Sequence, residues 1–255
     1  MSSRPRFWMY TFGPYILASL FVLPDWYWLL CLLYFVYPAN VLIYGVNDLA
    51  DRDTDKHNPK KDGYETRLTD TTKTWVKVSI ALVLGLILLT LADHPLFFAL
   101  FLLLGIGYSV PPLRFKAVPF IDSLSNILYA MPGFFAYHNF TGQLPNLWIV
   151  LAAMFWCAGM HLYSALPDIA SDKKANVKTT GVLLGTHAYT MTSVYWLLSL
   201  VSLSMVAPWT AWLPLVVYVM IPFAPIDTFK MYKLFPYVNT WYGAILFFSL
   251  ASLLW

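Results

Sequence analysis

The feature that most constrains this chain is an alternation. Apolar runs long enough to cross a bilayer recur along its whole length, and every lysine and arginine falls ahead of the first run, in alternate gaps between runs, or at the run ends that adjoin those gaps. A spanning helix needs about 20 apolar residues, with some tolerance for shorter ones. Nine such runs are read near 9–24, 26–48, 75–92, 95–110, 119–138, 147–167, 188–207, 209–227 and 237–255. Only Ala92-Asp93-His94-Pro95 separates the third from the fourth, and Pro208 the seventh from the eighth, which predicts tight hairpins. Pro14, Pro38, Pro132 and Pro222 lie inside runs, where a kink is tolerated if neighbouring groups re-satisfy the backbone.

With a cytoplasmic N-terminus, the inner segments are 1–8, 49–74, 111–118, 168–187 and 228–236, together with the adjoining helix ends. All 16 Lys and Arg lie there, whereas the outer turns hold Asp25, Asp93, His94 and His138 but no Lys or Arg. Such segregation is the positive-inside pattern, and one miscounted helix would destroy it. The sequence therefore predicts an all-α, polytopic membrane protein: a bundle of nine transmembrane helices forming one domain over 1–255, N-terminus cytoplasmic and C-terminus outside. Composition excludes the alternative of an ordinary soluble domain, since 11% of residues are charged against about 25% in soluble proteins. The 11 Trp and 17 Tyr are expected chiefly in interfacial belts. Cys31 and Cys157 stand alone without CxxC spacing, so neither a disulfide framework nor a zinc site is expected. The first run follows Arg4 and Arg6, is broken by Gly13-Pro14 and lacks a small-x-small cleavage site; it is read as a retained span.

Chemistry concentrates where the second run ends, in Asn47-Asp48-Leu49-Ala50-Asp51-Arg52-Asp53-Thr54-Asp55. Helical side chains three and four apart share a face, so Asn47, Asp51 and Asp55 point one way with Asp48 beside them. Tyr44 and Asn40 extend this stripe back into the apolar run. Unpartnered polar groups there are costly, so the stripe is expected to line a wet cavity. A sparser copy, Asp168 and Asp172, ends the sixth run. Two carboxylate clusters suit a hard cation such as Mg²⁺, which takes oxygen ligands and shares itself with phosphates. Basic residues accompany them. The short turn Tyr108-Ser109-Val110-Pro111-Pro112-Leu113-Arg114-Phe115-Lys116 is stiffened by its prolines, and Lys60-Lys61 lies in a long loop of the kind that forms binding lids. Acidic ligands for metal, basic groups for phosphate and a membrane cavity for an apolar tail together describe an isoprenyl diphosphate.

Blander readings stand beside this one. Asp51-x-Asp53-x-Asp55 resembles the start of an EF-hand loop, but Lys56 occupies the position that needs Gly and Pro59 interrupts it. The carboxylates are alternatively plain solvated charges, though the copy at 168–172 weighs against that. His161 lies near the Asp168 face and is a cavity group or a structural hydrogen-bonder. Asp122 and Asn126, one turn apart, line the cavity or bond helix to helix.

The residues resemble the UbiA superfamily of intramembrane prenyltransferases. Its motif N-D-x-x-D-x-x-x-D is matched by Asn47, Asp48, Asp51 and Asp55, and its motif D-x-x-x-D by Asp168 and Asp172. Tyr108 to Lys116, Asp122-Ser123-Leu124-Ser125-Asn126, Leu166-Pro167-Asp168-Ile169 and Lys178-Thr179-Thr180-Gly181 look most like the branch of lycopene elongases that make C50 carotenoids. The resemblance implies Mg²⁺-dependent transfer of a dimethylallyl group from dimethylallyl diphosphate to lycopene. It implies metal ligands Asn47, Asp48, Asp51, Asp55, Asp168 and Asp172, with Asp51, Asp55, Asp168 and Asp172 catalytic. Asn47, Lys60, Lys61, Arg114, Lys116, Asn126, His161 and Lys173 would bind substrate, and the rings of Tyr44 and Tyr163 would face the allylic cation. The enzyme would be an integral multi-pass membrane protein with its active site on the cytoplasmic side. Its partners would be the two lipophilic substrates and the bilayer, with no nucleic acid. A quinone precursor, phenolic acid, chlorophyllide or glyceryl lipid remains open as acceptor, and a cation-coupled transporter or a non-catalytic scaffold as another class of protein.

Overall fold

The structure, a computed structural model, describes residues 4–20, 22, 24–51 and 68–251. Every regular element among them is helical. In chain order these are α1 (Met9–Ala18), α2 (Trp26–Val36), α3 (Pro38–Ala50), α4 (Thr71–Thr90), α5 (Leu96–Gly107), α6 (Ile121–Leu124), α7 (Met131–Thr141), α8 (Leu147–Ala165), α9 (Ile169–Lys174), α10 (Thr180–Leu184), α11 (His187–Ser204), α12 (Trp209–Trp212), α13 (Leu215–Met220) and α14 (Thr228–Ala251). Helix occurs in each apolar run that the sequence marks, and prolines explain why it is often interrupted. Pro38 and Pro132 open new helices, Pro222 sits in a 3₁₀ turn, and Pro14 lies within α1. Among the described residues, four stretches are long and apolar enough to cross a membrane: Trp26–Ala50, Thr71–Thr90, Leu147–Lys174 and Thr228–Ala251. α14 starts well before the expected 237 because Asp227 accepts the Lys230 amide at 2.9 Å, and Lys230 and Lys233 are good helix formers.

The chain divides into two compact units, Met1–Phe115 with Leu128–Leu144, and Lys116–Ile127 with Pro145–Trp255. In the first, α3 packs along α4, and α1 along α7. Gly133 lets α7 close on α1, since a Cβ there would meet the Pro14 carbonyl oxygen at 2.8 Å. The core is a ring cluster: Phe35 contacts Phe98 at 5.3 Å and Phe101 at 5.4 Å, and Phe98 stands edge-on to Phe135 at 5.0 Å. Asp70 caps α4 by accepting the Lys73 amide at 2.9 Å. That bond holds its carboxyl below the usual carboxylate range.

In the second unit α8 packs along α11. Its core joins Trp196, Tyr163, Phe235, Tyr218 and Tyr242. Trp26, Trp209, Tyr237 and Trp241 are well exposed, whereas these rings are buried, which a belt position would not give. The reason is the solvent. Lipid tails are as apolar as side chains, so helices associate through dispersion and interlocking shape, and large flat rings supply both. Leu33, Val83, Leu197 and Phe248 are correspondingly exposed, as lipid-facing residues are.

Candidate functional site

α3 builds the first acidic segment. Pro38 starts this helix after a break at Tyr37. Asn40 is wholly buried, and its amide reaches Thr11 Oγ at 2.7 Å, the Phe35 carbonyl at 3.0 Å and the Val36 carbonyl at 3.1 Å. The expectation that Asn40 lines a wet cavity is therefore replaced by a structural role: Pro38 and the break leave carbonyls without helical donors, and Asn40 supplies one.

Further along, the helical period does what the sequence predicts. Asn47 Nδ2 donates to Asp51 Oδ2 at 2.8 Å, one turn on, and to Ser109 Oγ at 3.2 Å. Asp51 is the C-cap of α3. Asp48 is buried, and Arg4 meets it with a hydrogen-bonded ion pair of 2.8 Å. The same guanidinium lies 4.9 Å from the Tyr44 ring centre. Tyr44 is buried and accepts a hydrogen bond from Tyr129 at 3.2 Å. Arg114, half-buried, ends the turn after α5, its amide donating to the Val110 carbonyl at 3.0 Å. Asp55, Lys60 and Lys61 lie outside the described residues.

In the second unit, Asp168 closes a 3₁₀ turn and leads into α9, on which Asp172 sits one turn later. The Ser171 hydroxyl donates to the Asp168 carbonyl at 2.8 Å. Asp172 Oδ2 accepts from Thr179 Oγ at 3.4 Å, and its carbonyl accepts the Val177 amide at 2.9 Å. Lys173 is exposed and Lys116 buried. His161 is half-buried on α8, its carbonyl accepting from Ser164 Oγ at 2.8 Å. Tyr163 lies in the apolar core, 5.2 Å from Phe235 and 5.9 Å from Trp196, ring centre to ring centre. Asn126 is buried and donates to the Asp122 carbonyl at 2.6 Å.

Among the described residues no three His, Cys, Asp or Glu side chains gather as a metal group; within them the first motif lacks its last member, Asp55. The donor chemistry still fits a hard cation. The carboxylates of Asp48, Asp51, Asp168 and Asp172 and the amide oxygen of Asn47 are hard oxygen donors, and buried Asp48 is already matched by a positive charge. Sequence reasoning missed Arg4 and Ser109 as partners of the motif. The signals were a cation ahead of the first run and a hydroxyl in the basic turn, but nothing in the sequence pairs residues that far apart.

The model of the UbiA prenyltransferase family matches residues 7–253. The chain is 37% identical to a lycopene elongase/hydratase of Haloferax volcanii, covering 96% of this chain and 85% of that one. It is 41% identical to a lycopene elongase/hydratase of Halobacterium salinarum, over 77% and 75%. Among solved structures, a UbiA homolog from Archaeoglobus fulgidus bound to DMAPP and Mg²⁺ shares the fold with a TM-score of 0.72 at 22% identity, covering 98% and 97%.

Proposed function

We propose, from the premise that this chain belongs to the UbiA prenyltransferase family and is a membrane prenyltransferase, that it transfers a dimethylallyl group from dimethylallyl diphosphate to lycopene in a Mg²⁺-dependent reaction. The observation that carries this reading is the first motif of hard oxygen donors, with Asn47 holding Asp51 and Arg4 holding Asp48. The acceptor and donor are supported by the relatives named lycopene elongase/hydratase and by the A. fulgidus homolog bound to DMAPP and Mg²⁺.

Asn47, Asp48, Asp51 and Asp55 of the first segment and Asp168 and Asp172 of the second would hold the cation. When bound, Mg²⁺ supplies charge neutralisation and Lewis acidity at the diphosphate oxygens. Arg114, Lys116, Lys60, Lys61 and Lys173 would bind the diphosphate and stabilise its charge as the allylic C–O bond breaks. The terminal alkene of lycopene then forms the new C–C bond to the allylic carbon, leaving a tertiary cation. That cation ends by losing a proton or by adding water. Tyr44, held by Arg4 and Tyr129, is the ring proposed to face the allylic cation.

The topology proposed is nine passes in one domain with a cytoplasmic N-terminal segment, supported by the segregation of Lys and Arg. It puts both acidic segments on the cytoplasmic side. Labelling single cysteines placed in the 49–74 and 168–187 segments of sealed vesicles tests it: both should label from the cytoplasmic face only.

The chain in lipid nanodiscs, given dimethylallyl diphosphate, lycopene and Mg²⁺, should release diphosphate and form C45 or C50 carotenoids. Unchanged lycopene, with prenylation of a phenolic acid, chlorophyllide or glyceryl lipid instead, would overturn the acceptor assignment. Undiminished turnover in excess chelator would overturn the metal assignment.

A further inference from the structure

Asp122 is 1% exposed, and a buried carboxylate is stable only where donors surround it. They do. Ser123 donates its amide at 2.7 Å and its hydroxyl at 3.2 Å to Oδ1. Thr180 donates its amide to Oδ2 at 2.7 Å and its hydroxyl to Oδ1. The Thr180 hydroxyl in turn accepts the Phe120 amide at 2.6 Å. Residues some sixty positions apart in sequence are thus closed into one ring of bonds, with the start of α10 as its far side.

Thr179 and Gly181, the residues flanking Thr180, touch the second acidic segment. The Thr179 hydroxyl accepts the Val182 amide at 3.2 Å and donates to Asp172 Oδ2 at 3.4 Å. Gly181 packs against Ile169, the residue after Asp168, so closely that a Cβ would come within 3.0 Å of its Cγ1. α9 spans six residues, too short to be stable alone, and takes its placement from these neighbours. The loop between them is closed on itself as well, the Val177 amide returning to the Asp172 carbonyl at 2.9 Å.

We propose that Asp122 is a positioning residue for the second acidic segment: through Thr180 and its neighbours Thr179 and Gly181 it fixes where Asp168 and Asp172 present their carboxylates, without touching metal or substrate. This rests on the reading of those two aspartates as ligands of a Mg²⁺-bound diphosphate. Partners of metal ligands typically affect metal affinity by about 10–100-fold, so a selective effect is expected rather than a general loss.

The full chain in nanodiscs is compared with Asp122→Asn, Thr180→Val, Thr180→Ser and Asp168→Asn. Each is assayed for melting temperature, for binding of the thiolo analogue of dimethylallyl diphosphate in a Mg²⁺ titration, and for diphosphate release. Asp122→Asn and Thr180→Val should raise the Mg²⁺ concentration needed for half-maximal analogue binding about tenfold or more. Thr180→Ser, which keeps both the amide and the hydroxyl, should restore it. Folded Asp122→Asn and Thr180→Val with wild-type analogue binding would overturn the proposal, and so would loss of fold in both. Asp168→Asn separates the two readings. If it binds and turns over normally, the ligand assignment fails; if it is inactive while Asp122→Asn is silent, only the positioning role fails.

Discussion

Asn47, Asp48 and Asp51 sit at the end of a 13-residue helix, whereas Asp168 and Asp172 sit on or beside one of six residues. The first segment inherits direction from α3, and its charge is met by a guanidinium on Asp48 and an amide on Asp51. The second is held by hydroxyl and backbone donors of the following loop, itself tied to Asp122. A rigid helix leaves only charge to be balanced at its tip. A short one leaves orientation unsettled, and the sequence answers with threonines, whose hydroxyl both accepts and donates.

The largest effect should come from removing a carboxylate from either segment. Asp51→Asn and Asp168→Asn should each slow diphosphate release by about 10²–10³-fold, the usual scale for losing one electrostatic contact to a transition state. Both variants should remain folded by melting temperature. If only one segment matters, the comparison breaks.

Next is Arg4→Ala, which removes the guanidinium that meets the buried Asp48 carboxylate and should destabilise the chain by about 3 kcal/mol, read by denaturant titration in mixed micelles. Pairing it with Asp48→Asn should recover most of the loss. No recovery would mean that Arg4 acts through its packing on Tyr44 instead. A smaller cost, about 1 kcal/mol from overpacking, is expected for Gly181→Ala, together with a raised Mg²⁺ requirement; Gly133→Ala, far from either acidic segment in sequence, should cost stability without changing that requirement.

The smallest effect concerns Asp70, a carboxylate that caps a helix and serves neither acidic segment. Its folded pKa lies below the usual carboxylate value. The stabilisation it brings is therefore complete above that usual value and is lost as pH falls through the lower, folded one. Asp70→Asn should flatten this acid limb of the melting-temperature profile while leaving Mg²⁺-dependent analogue binding unchanged.

What sequence could and could not supply follows from reach. Periodicity within one helix placed Asn47 above Asp51, because their relation is set by local geometry alone. Helix in each apolar run was equally legible, since hydropathy is a local property. Arg4 with Asp48, Asn47 with Ser109 and Asp122 with Thr180 are joined across 44 to 62 residues, and no local rule chooses among the hydroxyls and cations available. Asn40 shows the opposite error. Its place on the polar stripe was right, but a stripe predicts direction, not solvation, and its amide turned out to serve Thr11 and the carbonyls at the helix break.

From Asn40 to Asp51 the α3 axis runs about 16 Å, so it is a lever with its pivot at Pro38 and its load at the carboxylates. A tilt of roughly 10° at the pivot would swing Asp51 by about 3 Å over that length, more than the roughly 1 Å that can cost a hundredfold in rate. By tying the pivot to α1 and to the last carbonyls of α2, a single amide deep in the first unit sets the aim of groups that it never meets.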